Sequence, residues 1–253
     1  MSNRTISFRG LRQKANNRDH GCAGKQIAGL LILVGFLHGC ATTTQQASIT
    51  QLDSAGEQAR IVLMPLDVQL FLLTAGGVNE PQAEWTESAK QNMQAALKTF
   101  EGGRSLQFVN YVRPDESSLD ASLLYELEKL HGAVGQAILF HKYQVALPTK
   151  KNVFDWTLGP EVRLIQEKTN ADYALFLYIR DSYSSAGRVF VQLAAAMLGV
   201  GMTGGQQLGF ASLVDLKSGN VVWFNYLLSG TGDLRTPAPA LQTVNNLLKN
   251  LPE

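Results

Sequence analysis

A basic leader followed by a short apolar run is the feature that most restricts what this chain can fold into. The leader carries six basic residues against the single acid Asp19, and such positive charge stays on the cytoplasmic side while the rest of a chain is exported. The run from Ile27 to Leu37 is 11 residues long, whereas a membrane-spanning helix needs about 20. We therefore predict that residues 1–39 form a signal peptide, separate from the folded domain.

The end of this run, Leu37-His38-Gly39-Cys40, resembles the cleavage site of bacterial lipoproteins. In that class the cysteine thiol is diacylated, for example with palmitate, before the leader is removed. The resemblance implies that Cys40 is the lipidation site. No aspartate follows the cysteine to retain the protein at the inner membrane, since the next residue is Ala41, and this implies the outer membrane. Two lipid chains give stable attachment to a bilayer.

Removal of the leader changes the charge and the cysteine content. It takes 39 of 253 residues, which leaves 214, enough for one domain with a sizeable core. It also takes six of 22 basic residues and one of 21 acids, so that 16 basic and 20 acidic residues remain. A net charge of −4 argues against a nucleic-acid partner, which would need a basic patch. Cys40 becomes the only cysteine, which excludes an intramolecular disulfide.

Hydrophobic patterning predicts one α/β domain over residues 60–253, after a lipidated N-terminus and flexible tether over residues 40–59. Apolar runs predict strands at 60–66, 106–112, 171–180, 208–216 and 221–228. Helical periodicity predicts helices after Pro81, after a capping box formed by Ser117 and Asp120, at 161–168, and near Pro237. The resulting order, β-α-β-α-α-β and then β-β-α, predicts a mixed sheet sandwiched with helices.

The stretch from Ala171 to Asn225 carries a further resemblance. Ala171-Asp172-Tyr173 begins a strand, a glycine-rich insert follows, and Leu213 to Trp223 closes the stretch through an Asp-x-x-Ser-Gly hairpin turn. This resembles Gram-negative envelope lipoproteins with a domain like the TolB N-terminal domain, which has an anticodon-binding-like sandwich fold. They include CsgG, LpoB and, with the best match, an uncharacterised conserved neisserial surface lipoprotein family. The resemblance implies a role in assembly or regulation and no catalytic residues.

The insert between Arg188 and Gln207 decides which of these relatives the chain resembles in this region. In CsgG the corresponding insert supplies a membrane-crossing β-hairpin, and such strands alternate apolar and polar residues over about 9 to 11 positions. Here Leu193 to Leu198 is apolar without alternation. We therefore predict a buried or membrane-facing helix or loop. An exposed apolar patch of this size would mark a partner or membrane contact, with the candidate residues Val189, Phe190, Leu193, Met197 and Leu198.

Other motifs do not assign chemistry. The segment from Gly199 to Gly204 matches G-x-G-x-x-G, but the dinucleotide-binding version needs a strand before it and a helix after it. His131 and His141 lack a third ligand at a recognisable spacing. Asp172, Asp181, Asp215 and Asp233 near strand ends could serve acid-base chemistry or cap turns. We assign no catalytic, cofactor-binding or metal-binding residue.

We expect a non-enzymatic, periplasm-facing lipoprotein of the outer membrane that binds a protein partner during envelope assembly, export or peptidoglycan synthesis. Trp156, between two helices, is a further candidate contact. One alternative is a CsgG-like oligomeric secretion channel or accessory ring, and self-association into a homo-oligomer stays open. The other alternative is a small-ligand or glycan-binding enzyme, which would show a ligand in an acid-lined cleft.

Overall fold

Within the described residues, an eight-stranded mixed sheet with helices on both faces forms the centre of the fold. The computed structural model describes residues 41–52, 58–103, 106–150, 153–230 and 232–253. The predicted signal peptide, residues 1–39, and Cys40 lie outside the described residues. The strands are β1 (Thr42–Ala47), β2 (Arg60–Leu63), β3 (Asp67–Leu73), β4 (Asn79–Pro81), β5 (Gln107–Val109), β6 (Tyr173–Ser184), β7 (Gln207–Asp215) and β8 (Val221–Ser229). The α-helices are α1 (Ala83–Gly102), α2 (Leu119–Tyr143), α3 (Arg163–Thr169), α4 (Ala186–Met197) and α5 (Pro237–Leu247). The α/β class predicted from the pattern is confirmed.

Strand β6 organises the sheet because it is long enough to hold two neighbours on one edge. Its first residues pair in parallel with β2, which pairs in turn with β5, and its later residues pair in parallel with β3. The chain changes from β2 to β3 at Pro65, which lacks the N–H group that a continuous ladder needs. Its other edge carries β7, β8 and β1, each antiparallel to the strand before it. The strand predicted over 60–66 is therefore β2, which ends at Leu63, and β3 is an additional strand that the pattern did not predict.

The two faces of the sheet bury separate cores. Residues 173–179 of β6 are all buried, as expected for a strand covered on both sides. Helices α1 and α5 cover one face, where they pack on Leu175, Leu177 and Ile179. Helices α2 and α3 cover the other face, where they pack on Ala174 and Phe176. None of the helices in the described part of the chain is long and apolar enough to span a membrane.

Helix α2 approaches the sheet unusually closely. The side-chain oxygen of Ser118 caps its N-terminus by accepting from the Ala121 N–H at 3.1 Å, so the cap lies one residue after the predicted Ser117. A Cβ atom added at Gly135 would lie 2.0 Å from the Phe210 ring. The helix can therefore rest on this strand only because no side chain stands at that position.

The N-terminal segment corrects the prediction of a flexible tether over residues 40–59. Thr42–Ala47 is strand β1, an edge strand that pairs with β8 from Thr42 opposite Leu228 to Ala47 opposite Trp223. The polar sequence Thr-Thr-Thr-Gln-Gln-Ala gave no period of apolar residues, which is why the pattern did not reveal it. Residues 53–57 lie outside the described residues.

Candidate functional site

Helix α4 begins where β6 ends, and two side chains fix it there. The Ser185 hydroxyl oxygen caps the helix by accepting from the Arg188 N–H at 3.1 Å. The Arg188 side chain is buried, and its Nη2 donates to the Thr203 carbonyl oxygen at 2.7 Å. Gln192 Nε2 donates to the Met202 carbonyl oxygen at 3.2 Å. The helix and the glycine-rich loop that follows it are therefore tied together by their inward-facing side chains.

The outward face of α4 and the loop is apolar and exposed. Arg188 is the one residue of the helix that is buried. Phe190 is 72% exposed, Met197 76% and Leu198 82%. Residues 189–214 contain no Asp, Glu, Lys or Arg. We call this surface the apolar cap, made of Val189, Phe190, Leu193, Met197, Leu198, Val200 and Met202. Five of the six predicted contact residues thus lie on one surface, and the insert contains a helix where a CsgG-like hairpin would need two strands.

The apolar cap lies at the end of the sheet where β1 begins. Thr42 of β1, Leu228 of β8, Leu208 of β7 and Arg180 of β6 are opposite one another in successive ladders, and so form one row across the sheet. The row lies close to the end of β6, from which α4 starts. Cys40 precedes this row by two residues in the sequence.

A second apolar surface lies beside this row, on the face covered by α2. A groove of about 600 Å³ runs between the C-terminal end of α2 and strands β7 and β8. The exposed Phe140 and Tyr143 come from the helix, and Leu228 from the sheet. The Tyr143 and Tyr226 rings lie 4.8 Å apart; burial raises the pKa of Tyr143 to about 12, and Tyr226 adds to this rise. We call this surface the aromatic groove, lined by Leu139, Phe140, Tyr143, Leu208, Tyr226 and Leu228, with polar side chains from Gln136, His141 and Gln144.

Trp156, the remaining predicted contact, is partly buried and lies outside both surfaces. Its ring packs against the core under α2. The His141 ring stacks on it at 6.4 Å, and Lys150 Nζ lies 5.0 Å from its centre. Because His141 also lines the aromatic groove, Trp156 supports one wall of that groove from behind.

Two of the four candidate aspartates cap backbone. Asp172 accepts from the Arg60 N–H, and Asp215 accepts from the Lys217 N–H, both at 2.9 Å. The second of these bonds closes the hairpin turn between β7 and β8, as a capping role predicts.

The other two aspartates meet around one tyrosine. Tyr183 donates its hydroxyl proton to Asp181 Oδ2 at 2.6 Å. Burial raises the pKa of Asp181 to about 6, against the hydrogen bonds from Tyr183 and Gln207 and together with the charge of Asp233. Asp233 binds Arg235, whose guanidinium carbon lies 4.2 Å from the centre of the Tyr183 ring. The network fixes the loop before α5, and sequence spacing gave no sign of it.

The histidines are also structural in their contacts. His131 is buried, its Nε2 lies 2.9 Å from Ser212 Oγ, and its ring stacks on Phe176. Burial lowers the pKa of His131 to about 3. His141 Nδ1 lies 3.0 Å from the Val145 carbonyl oxygen. Within the described residues, no group of three His, Cys, Asp or Glu side chains could hold a metal ion.

The glycine motif from Gly199 to Gly204 has a helix before it and a strand after it. This is the reverse of the order that a dinucleotide-binding motif needs. The neighbouring Gly205 lies so close to β6 that an added Cβ atom would be 2.1 Å from the Ser182 carbonyl oxygen. Gly205 therefore allows the loop to pack closely on the sheet end, whereas an added Cβ atom at Gly199 or Gly201 would meet nothing within 4 Å.

Another cavity lies at the carboxyl ends of the parallel strands β2 and β5. It has a volume of about 660 Å³. Its charged lining comprises Lys90, Lys98 and Arg113 against Glu101. Burial raises the pKa of Glu101, and the charge of Lys98 opposes this rise. A cleft of this kind favours an anionic ligand over the acid-lined arrangement expected for the enzyme alternative.

Comparisons with known proteins give structural neighbours alone. No protein family matches the sequence, and no curated protein matches it. Two solved structures of PelC dodecamers from Paraburkholderia phytofirmans, one of a substituted form, are similar to this chain. The first has 13% identity and a TM-score of 0.34, and the second has 14% identity and a TM-score of 0.36. Each alignment covers 84% of this chain and 99% of the PelC chain.

Proposed function

We propose that this protein is a lipoprotein of the outer membrane that holds a non-enzymatic protein-interaction module at the periplasmic face. Its lipid anchor is acylated Cys40, and its partner is a protein of the periplasm or outer membrane. The proposal for the anchor rests on the signal sequence and on the leucine, glycine and cysteine that end it. The processes that such a module would serve are envelope assembly, export or peptidoglycan synthesis.

The aromatic groove is the observation that carries the interaction role. Among the described residues its lining holds no carboxylate and no lysine or arginine, and it offers mainly aromatic and aliphatic contact area. Phe140 is 46% exposed and Leu228 is 41% exposed. Exposed aromatic and aliphatic side chains beside a concave surface are typical of the centre of a protein–protein interface. The chemistry fits an apolar or aromatic segment of a partner polypeptide.

Site-specific photo-crosslinking tests this role in intact cells. Replacing Phe140 with benzoylphenylalanine should give a discrete protein adduct after irradiation, because the probe lies within the groove. The matched control is the same replacement at Val112, which is 79% exposed and lies outside the groove. Equal adducts at both positions, or none at Phe140, would contradict a docking role for the groove.

The lipid anchor is tested separately by labelling cells with an alkyne analogue of palmitate. The wild-type protein should take up the label, and a Cys40→Ser variant should lose it completely. Mass spectrometry of the purified protein should give an acylated Cys40 as the first residue. An unmodified N-terminus would contradict the lipoprotein assignment and leave the groove experiment standing.

A second candidate function is binding of an anionic small ligand in the cavity beside β2 and β5. The observation that favours it is the three cationic side chains around a cleft at the carboxyl ends of parallel strands, where ligands commonly bind in α/β folds. Inorganic phosphate titrated against the purified protein should shift amide signals at Lys90 and Arg113 first. Uniform or absent shifts would reject this site.

A further inference from the structure

We infer that the apolar cap lies in the interface of the same bilayer that holds Cys40, as a second attachment of the domain to the membrane. This inference rests on the lipid anchor of the proposed function and concerns a different surface from the aromatic groove. It assigns the five residues Val189, Phe190, Leu193, Met197 and Leu198 to lipid rather than to a protein.

Sheet geometry puts the cap and the start of β1 at the same end of the sheet. The row from Thr42 through Leu228 and Leu208 to Arg180 crosses three strand pairs. Neighbouring strands lie about 4.8 Å apart, so the start of β1 is about 14 Å from β6 across the sheet. Cys40 is two residues before Thr42, and two extended residues span at most about 7 Å. The acyl attachment point therefore lies no more than about 7 Å from the start of β1. A bilayer surface that meets Cys40 therefore also meets the sheet end from which α4 projects.

The cap has the chemistry of a surface that enters lipid. Its side chains recur on one face of the helix, since residues 189, 193 and 197 are spaced four apart and Phe190 lies beside them. Interfacial helices bury such an apolar face at the boundary between headgroups and acyl chains. A protein-binding patch is usually surrounded by a polar, partly charged rim, whereas no charged residue occurs between Val189 and Val214. The segment that carries the cap thus contributes no charge to such a rim, which favours lipid as the occupant.

The lack of an exposed cation on α4 also predicts how the contact depends on lipid charge. Arg188, the one cation of α4, is buried and donates to the Thr203 carbonyl oxygen. It cannot reach a lipid phosphate from that position. Insertion must then depend on apolar burial, and neither anionic lipid nor ionic strength should change it strongly.

The attachment needs no rearrangement of the domain. Ser185 caps the helix, Gln192 holds the loop, and Gly205 N–H donates to Ser184 Oγ at 3.1 Å. These bonds fix the inward face of α4 against the sheet end and leave the outward face free. The cap is therefore presented in its binding orientation before it meets the membrane, which reduces the entropic cost of binding.

Fluorescence quenching by lipids tests the inference on the lipidated protein. The chain has two cysteines, one in the leader and one at Cys40, so a Leu193→Cys variant with an acylated Cys40 has a single free thiol. The labelled protein is reconstituted in phosphatidylcholine vesicles that contain nitroxide-labelled lipid. The matched control is Leu119→Cys, which is 75% exposed at the start of α2. That helix has 25 residues and ends beside the aromatic groove, so its start lies about 37 Å away along the helix axis.

We expect the probe at position 193 to lose most of its emission to the lipid quencher, and the probe at position 119 to keep most of its emission. Adding phosphatidylglycerol or salt should leave both values nearly unchanged. An unquenched probe at position 193 would overturn the inference. If it were unquenched but shielded from water, the occupant would be a second copy or another protein. Mass spectrometry of the same sample separates failure of the anchor from failure of the cap, because it reports acylation of Cys40 independently.

Discussion

His131 Nε2 lies 2.9 Å from Ser212 Oγ, and the imidazole ring is stacked 4.7 Å from the ring of Phe176. Burial lowers the pKa of His131 from 6.5 to about 3, and the charge of Asp67 opposes this effect. The unfolded chain therefore takes up a proton below pH 6.5 that the folded protein resists. The contribution of neutral His131 to the free energy of unfolding is present above pH 6.5 and is lost as the pH falls toward 3.

The first prediction follows from this pair. Replacing both partners, as His131→Phe with Ser212→Ala, removes the titrating group without leaving a buried polar atom unpaired. The wild type should lose stability relative to this variant between pH 6.5 and pH 4, at up to about 1.4 kcal/mol per pH unit. Urea unfolding followed by tryptophan fluorescence at several pH values measures the difference. A constant difference across that range would contradict the prediction.

The second prediction concerns Asp181, whose pKa shifts in the opposite direction. Its folded-state pKa is raised from 3.8 to about 6, mainly by burial. The folded protein thus favours the protonated form of Asp181. The contribution of this preference to the stability of the fold is lost as the pH rises through about 6. An Asp181→Asn variant keeps an oxygen to accept from Tyr183 and Gln207. It should be more stable than the wild type at pH 8, by on the order of 2 kcal/mol, and lose that advantage below pH 4.

Thermal unfolding at pH 8 and pH 4 checks the Asp181 prediction. Asp215→Asn provides a matched control, because Asp215 accepts hydrogen bonds at an exposed turn. A variant at Asp181 that is less stable than the wild type at both pH values would mean that the charged form is needed.

The third prediction tests the close packing of α2 on β7. Alanine is the better helix former by about 1 kcal/mol, so propensity alone would make Gly135→Ala stabilising. The added methyl group would overlap the buried Phe210 ring, which is stacked 4.5 Å from Tyr178 and cannot move away. Overpacking of this kind costs about 1–3 kcal/mol or more, so we expect a net loss of stability.

Gly102→Ala is the control for this packing effect. Gly102 is also helical, in the last position of α1, and an added Cβ atom there would meet nothing within 4 Å. Denaturant titration should show Gly102→Ala close to wild type and Gly135→Ala clearly destabilised. Equal effects of the two variants would refute the steric explanation.

The fourth prediction concerns strand β1. If Thr42–Ala47 is paired with β8, its backbone amides that face β8 should exchange with solvent slowly, whereas a tether would exchange at once. Hydrogen-exchange mass spectrometry of peptides covering this segment measures the rate. Thr44→Pro should abolish the protection, since proline disrupts an inner ladder position. The core strands β6 and β7 should stay protected in that variant, because β1 is an edge strand.

The parts of the fold that were predictable are those in which local pattern and burial agree. Helix α1 and strands β6, β7 and β8 carry strong periodic or continuous apolar signals, and each lies where that signal predicts. The α/β class follows from their order. Strand β3 was missed because Asp67 and Gln69 interrupt the apolar residues at its start, so that it lacks the continuous apolar run that marked β2.

The candidate surfaces were predictable only in part. The apolar cap was visible as an uncharged apolar stretch, because such a stretch needs either a core or a partner. The aromatic groove was not, because Phe140 on α2 and Leu228 on β8 meet through tertiary structure and have no shared local pattern. The Asp181 network is similar, since its partner Gln207 is 26 residues away in the sequence.

The pairing of β1 with β8 has a mechanical consequence for a protein attached through its N-terminus. A force applied at Thr42 along the strand acts in shear on the whole ladder, from Thr42–Leu228 to Ala47–Trp223. The ladder bonds must then break together, whereas a force across the strands would break them one after another. Slippage by one residue would also turn every β1 side chain to the opposite face of the sheet. The domain would thus resist detachment from a stretched anchor in one step, with β1 acting as a clamp.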